Sequence, residues 1–345
     1  MTDKLKVGIA GYGVVGKRRR EHIDAHPDLV TTAVSDIHFD GDGKMDDGVL
    51  FFDDYRKILD QNIDVLFVCL SNDVAATATI GGLENNIDVF CEKPPGRNMA
   101  EMAALRKAAE QHPDRVLKYG FNHRYHDSIQ EALRLIQSGD LGDIINLRGV
   151  YGKSKLISWG QTTWRTEREK AGGGILLDQG IHMVDLLRLF AGDFTEIHSF
   201  ISNQFWKKDV EDNAYALMKT EGGKVAMLHS SATSWRHRFQ LDITLTKGAL
   251  TLSGILSGSK SYGDETLTIA KAAHDESGEP RENTIHYEND SSWAAEIAEF
   301  ANALTNGGSI VNGTAEDAYK TMELVYRIYC ADPQWQDQWN LTWQQ

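Results

Sequence analysis

Through the first third of the chain, short apolar runs alternate with longer amphipathic stretches. The runs at 5–10, 30–36, 63–70, 88–91 and 117–121 read as strands, and the intervening helix-period segments complete the pattern of a doubly wound parallel sheet. Beyond residue 122 the texture changes. Helix-period segments at 126–138 and 174–190 lead into alternating runs at 195–202, 213–220, 224–233, 239–246 and 249–252, separated by glycine and charged turns. Alternation with short turns predicts a mostly antiparallel sheet. Two more helices are expected at 293–304 and 315–331. The pattern predicts two domains, an α/β unit over 1–122 and an α+β unit over 123–345.

The first strand runs into Gly11-Tyr12-Gly13-Val14-Val15-Gly16, and Asp36 closes the second strand. A glycine turn alone would say little. This one follows a strand, opens a helix and precedes an acid at about the ~20-residue distance of a dinucleotide-binding βαβ unit. The first glycine permits the tight turn, the second lets the backbone approach a pyrophosphate, and the third lets helix and sheet pack closely. Free N–H groups at the helix start then hold the phosphates. Asp36 is placed to accept from the adenosine ribose hydroxyls and to repel a 2′-phosphate, so NAD is expected over NADP. Leu70, Ser71 and Asn72, where the third long run ends, and Glu92, after the fourth, should face the same crevice, because ligands of such sheets bind at the strands' carboxyl ends.

Composition narrows the class. A 345-residue chain with 41% hydrophobic and 25% charged residues suits a globular protein of two domains. Its net charge of −14 argues against nucleic acid or an anionic membrane as partner. No stretch approaches the ~20 apolar residues of a membrane span, and the first six residues hold no signal-like apolar region, so a cytoplasmic location is expected. Cys69, Cys91 and Cys330 lack CxxC spacing, which leaves no structural zinc or disulfide framework. The acidic loop at 39–48 fails as a calcium site, with Lys44, Met45 and Phe51 where ligands or the invariant glycine belong. No metal is expected. Lys17-Arg-Arg-Arg20 reads as a solvated helix face, and Asp332-Pro333 as a helix start that sets Trp335, Trp339 and Trp343 on one packing stripe.

The chemistry concentrates in 172–185. A helix there puts Asp178, His182 and Asp185 on one stripe while leucine, isoleucine and valine cover much of the rest. Burying such groups costs free energy unless each is paired. For Asp185 the expected partner is Arg188, one turn on. For Asp178 and His182 a functional role is expected, because Lys93, just after a strand end, can supply the other half of a hydride-transfer site.

The segment Glu92-Lys93-Pro94 resembles a known signature. Together with Gly11 to Gly16 and the segments 120–125, 172–185 and 293–300, it makes the chain similar to the glucose-fructose oxidoreductase / inositol dehydrogenase / MocA-type family. The resemblance implies an N-terminal Rossmann domain and a C-terminal α+β domain on a large open sheet, which commonly serves as an oligomer interface; a homodimer or homotetramer is expected. At matching positions it implies that Lys93 contacts substrate and cofactor, Asp178 orients the substrate and His182 is the general acid/base. Lys153, Trp159, Trp164 and Arg165 precede the catalytic helix, where related enzymes reach the nicotinamide or the sugar. Arg124, Lys153 and Trp159 are expected at the substrate, and Trp164 and Arg165 at the cofactor. The implied reaction moves hydride between NAD and a secondary alcohol or ketone of a sugar, cyclitol, sugar acid or nucleotide sugar. The alternative is a metabolite-sensing regulatory protein that binds dinucleotide without turnover, against which the intact Lys93/Asp178/His182 set argues.

Overall fold

The computed structural model describes residues 4–154, 163–257, 261–272 and 280–343. The first sheet holds β1 (Leu5–Ala10), β2 (Leu29–Ser35), β3 (Gly43–Lys44), β4 (Leu50–Phe52), β5 (Val65–Val68), β6 (Asp88–Glu92) and β7 (Leu117–Gly120) in the order β3-β4-β2-β1-β5-β6-β7. Pairing is parallel except in the β3/β4 hairpin. That hairpin folds part of the acidic loop at 39–48 onto the sheet edge. Val7, Ile9 and all of β5 are buried, as strands covered on both faces must be. The order reverses on either side of β1, so a crevice opens at the carboxyl ends of β1 and β5.

The second sheet holds β8 (Ile144–Gly152), β9 (Phe194–Ser202), β10 (Asn213–Thr220), β11 (Val225–Ser231), β12 (Arg238–Leu245), β13 (Gly248–Ser253), β14 (Glu265–Lys271) and β15 (Arg281–Tyr287). Its order is β15-β14-β13-β12-β8-β11-β10-β9, antiparallel except where β8 meets β11. The hydrophobic pattern identifies β9 to β13 and misses three strands. β15 is held by backbone pairing to β14 and buries none of its side chains, so no apolar alternation marks it. β8, interrupted by Arg148 and Gly149, lies at the centre of the sheet. The helix Ile181–Ala191 packs against β8 and β11, and the helix Ala315–Cys330 against β9. The opposite face stays open, with Phe200 78% exposed and Tyr215, Leu217 and Met227 also exposed along neighbouring strands.

The helix Ser292–Asn306 returns to the first sheet. Phe300 lies edge-on to Phe67 and Phe90, with ring centroids 5.8 and 5.5 Å away. On the same side, Arg19 of the helix Val14–Ala25 is fully buried between Phe90 and Trp293 and pairs with Glu92 at 2.6 Å and Glu296 at 2.7 Å. The basic run is therefore not a uniform solvated face. Arg20 too is engaged, donating to the Tyr12 hydroxyl at 2.8 Å and to Asp24 at 3.1 Å.

The tail forms the helix Pro333–Trp339, started by the Asp332 carboxylate, which accepts from the amides of Gln334 and Trp335. Asn340, at φ 47°, ends it in the left-handed region, so the stripe breaks after two tryptophans. Trp335 and Trp339 pack together and cover the Arg168 guanidinium, whereas Trp343 lies against Arg327. Among the described residues, no helix is long and apolar enough to cross a membrane, and no cluster of histidine, cysteine and carboxylate side chains could hold a metal ion.

Candidate active site

Two of the three loop glycines are required by the chain itself. Gly11 has φ +94°, and a Cβ on it would press into the Cys69 carbonyl; a Cβ on Gly16 would lie on the Gly11 carbonyl oxygen. Gly13 differs. Its backbone is extended and a Cβ there would meet no atom within 4 Å, so the open space beside it suits the close approach of a pyrophosphate. From Val14, Val15 and Arg18 on the following helix, a cavity of about 740 Å³ runs past Leu70 and Asn72 to Glu92 and Lys93 at the end of β6. It continues to Asp178 and His182 and ends against the second sheet at Tyr151 and Lys153.

The segment 172–185 reaches this cavity through an irregular turn. Residues Leu176–Gly180 form a π-helical turn before the regular helix Ile181–Ala191 begins. The buried Glu211 carboxylate anchors it, accepting from the Gly174 amide at 2.7 Å, the Leu176 amide at 2.9 Å and the Tyr329 hydroxyl at 2.7 Å. Burial raises the Glu211 pKa, and these hydrogen bonds oppose the rise. Asp178 faces the cavity, its carboxylate between Lys153 at 3.1 Å and Arg165 at 3.5 Å. The Lys93 ammonium donates to the Asp178 backbone carbonyl. Burial alone would raise the Asp178 pKa, yet the charges of Lys153, Arg165 and Lys93 outweigh it and keep the carboxylate ionised.

His182 is buried in the wall of the cavity. Burial first, then Lys93 and His126, push its pKa well below the usual value for histidine. Its Nδ1 is buried without a hydrogen-bond partner among the described residues. His123 stacks on it, centroids 3.7 Å apart and rings 12° from parallel, and is itself held between Asn122 Oδ1 at 3.2 Å and the Tyr151 hydroxyl at 3.1 Å. Burial and the neighbouring His182 likewise depress the His123 pKa. Lys93 is pushed down by burial, against the pull of Asp178 and Glu92.

Residues 5–121 match the family model described as the oxidoreductase family with NAD-binding Rossmann fold, and 129–251 match the GFO/IDH/MocA C-terminal domain. The chain belongs to the Gfo/Idh/MocA oxidoreductase family. It is an NAD(P)-dependent oxidoreductase, as the glycine loop and the motif order predict. Among curated relatives, myo-inositol 2-dehydrogenase of Thermotoga maritima is 24% identical over 66% of this chain and 68% of its own. D-glucoside 3-dehydrogenase of Escherichia coli is 27% identical over 67% of this chain and 71% of its own. Among solved structures, levoglucosan dehydrogenase in complex with NADH and L-sorbose superposes with a TM-score of 0.82 at 20% identity, covering 96% of this chain and 97% of that one. This Gfo/Idh/MocA fold is the expected pairing of a parallel Rossmann sheet with a largely antiparallel second sheet.

Not every candidate residue of this family member reaches the cavity. Trp164 and Arg165 line it, the guanidinium stacked 4.3 Å from the indole centroid. Trp159 lies outside the described residues. Arg124 is turned away: it clasps Asp185 through two 2.7 Å hydrogen bonds and reaches Asp317 at 3.0 Å, so a substrate role for it is corrected to a structural one. Arg188, expected on Asp185, pairs instead with Asp193 at 2.9 Å. Asp36 sits at the tip of β2, where it accepts from the His38 amide at 3.0 Å and contacts the His38 ring. Ser71 precedes the helix Asn72–Glu84 without a side-chain cap, and the Asn72 amide ties that helix to the Ala171 carbonyl at 2.8 Å. The Glu92 carboxylate is held by Arg19. Sequence reasoning missed His123, Tyr151, Gln179 and Tyr262. His123 lay inside the quoted 120–125 segment, but only tertiary packing stacks it on His182.

Proposed function

We propose that this protein is an NAD-preferring dehydrogenase that interconverts a secondary alcohol and a ketone on a polyhydroxylated substrate. The observation that carries the reading is the meeting of Lys93 and a neutral, buried His182 in one cavity with the open Gly13 crevice. With a dinucleotide's pyrophosphate at that crevice, its nicotinamide would supply the hydride acceptor or donor. With Nδ1 buried, His182 Nε2 is the nitrogen that takes the hydroxyl proton during oxidation and returns it during reduction. The Lys93 ammonium stabilises the oxygen as negative charge develops on it. Asp178, kept ionised, accepts from a neighbouring substrate hydroxyl. The Asp36 carboxylate supports NAD over NADP. The open apolar face around Phe200 and Met227 suits a second copy of the chain, which supports a homo-oligomer built on this sheet.

The test is nicotinamide reduction with NAD and, separately, NADP against a panel of sugars, inositols, sugar acids and nucleotide sugars. His182→Ala is expected to bind NADH normally and to lose ~10²–10⁴-fold in turnover, the usual worth of general acid/base assistance. Equal turnover by the two proteins would sink the assignment.

A further inference from the structure

An imidazole that works at one nitrogen is ordinarily aimed by a hydrogen bond at the other, to a carboxylate or a carbonyl. His182 lacks that device: its Nδ1 is buried and has no hydrogen-bond partner among the described residues. Packing must then set the plane of the ring. The ring that lies flat against it is His123, 3.7 Å between centroids and 12° from parallel, whereas Tyr151 stands at 6.5 Å and 51°.

His123 is aimed in its turn by a string of hydrogen bonds that ends on Asp290, and donor chemistry gives each link its direction. The Asp290 carboxylate only accepts, so the single Ser292 hydroxyl proton goes to it, at 2.6 Å. Ser292 Oγ therefore accepts from the Asn122 amide nitrogen at 3.2 Å. That leaves Asn122 Oδ1 facing His123 Nδ1 at 3.2 Å, and an oxygen there requires the imidazole proton on Nδ1. Burial, His182, His126 and Lys93 all disfavour a second proton on this ring, so Nε2 stays bare and accepts from the Tyr151 hydroxyl at 3.1 Å. Ser292 is fully buried, and Asn122 and His123 are nearly so. Because an amide stands in the middle of the string, the string orients and does not relay protons.

Resting on the dehydrogenase reading above, we infer that His123 is a positioning residue for hydride transfer: fixed in one tautomer by Asn122 and Tyr151, it lays a flat ring on His182 and sets the plane in which Nε2 meets the substrate hydroxyl. The stack takes the place of the missing Nδ1 hydrogen bond. An uncharged ring is needed there, because His182 gains a proton when the alcohol is oxidised and a second imidazolium against its face would oppose that gain. The other groups around His182 are Lys93 at the end of β6, Asp178 on the preceding turn, Tyr151 of β8 and His126, whose Nδ1 pairs with the Glu265 carboxylate of β14 at 2.8 Å.

Two readouts test the inference. NMR of protein carrying isotopically labelled histidine nitrogens reads the tautomer, the His123 signals being those lost in His123→Phe. A neutral His123 with its proton on Nδ1 is expected at pH ~7; a proton on Nε2, or on both nitrogens, overturns the string and the inference with it. Kinetics read the role. His123→Phe keeps a flat ring and should hold kcat within ~3-fold of the wild type, whereas His123→Leu, which offers no plane, should lose ~10- to 100-fold in kcat, the scale set by misplacing a reacting group by about 1 Å. The KM for substrate and the Kd for NADH should change less than ~3-fold in both. His123→Met repeats the second arm should His123→Leu fail to fold. An equal loss in the Phe and Leu variants, or a loss that falls on KM alone, overturns the inference; so does full kcat in His123→Leu at a lowered Tm, which would mean that the ring only fills space. No turnover by the wild-type protein on any substrate class would sink the dehydrogenase reading and this inference together. Turnover that needs His182 and survives His123→Leu in full would sink this inference alone.

Discussion

Replacing Gly13 with alanine separates the demands of the fold from those of the cofactor. The Gly13 backbone is extended, a conformation open to alanine, and the added Cβ would meet no protein atom within 4 Å. The folded protein should therefore hardly notice: a change within ~0.5 kcal/mol, or less than ~2 °C in Tm for a chain of this size. The new methyl projects into the crevice where a pyrophosphate must approach the backbone. Overpacking of that kind costs ~1–3 kcal/mol, which corresponds to a ~5- to 150-fold rise in the Kd for NADH. Differential scanning fluorimetry reads the first quantity and a titration of NADH fluorescence the second. Gly16→Ala is the contrast, since its Cβ falls on the Gly11 carbonyl oxygen and only backbone movement could make room; it should lower Tm with or without cofactor. An unchanged Kd for Gly13→Ala, or a fall of more than ~5 °C in its Tm, would refute the reasoning.

Three other outcomes follow from the geometry. Asp36→Ala should narrow the NAD/NADP preference by ~10-fold or more, through loss of hydrogen bonds to a charged acceptor, and an unchanged ratio of kcat/KM values would count against its ribose role. Asp185→Ala leaves the buried Arg124 with Asp317 alone and should cost ~3 kcal/mol in chemical denaturation, without altering kcat of the folded fraction; lost turnover at unchanged stability would contradict its structural role. His123 and His182 have folded pKa values below the ~6.5 of an unfolded histidine, so the unfolded chain binds more protons and stability falls as pH drops below ~6.5, by up to ~1.4 kcal/mol per pH unit for each imidazole. His123→Phe keeps the ring stacked on His182 and removes one titrating group, so its Tm should fall less steeply between pH 6.5 and 5, and an equally steep fall would argue against a depressed His123.

Much of the site was legible because its parts are local. The glycine loop, Lys93 at a strand end and the 178/182 pair each sit within a short segment whose periodicity shows its element and its face. Five strands of the first sheet and five of the second could be placed in the same way, whereas the short β3 and β4 could not. β15 could not, because its register is carried by backbone pairing and its side chains are mostly solvated. The expected 174–190 helix is present from Ile175, but its first turn, Leu176–Gly180, is π-helical, and Glu211, a residue remote in sequence, accepts from the Gly174 and Leu176 amides at its start.

The chain by itself determined where apolar faces recur, where backbone freedom is needed and which chemistry-bearing residues stand in motif order. These properties belong to neighbours along the chain, so periodicity and turn sterics express them without reference to the rest of the molecule. Tertiary structure decided which charges meet. Asp185 chose Arg124, 61 residues away, over Arg188 on its own helix, and Arg19 became a buried bridge to Glu296 across 277 residues. A charged side chain lowers its burial cost by pairing with whichever opposite charge the packing of distant elements brings within reach, and that choice is made only when the sheets and helices close on one another.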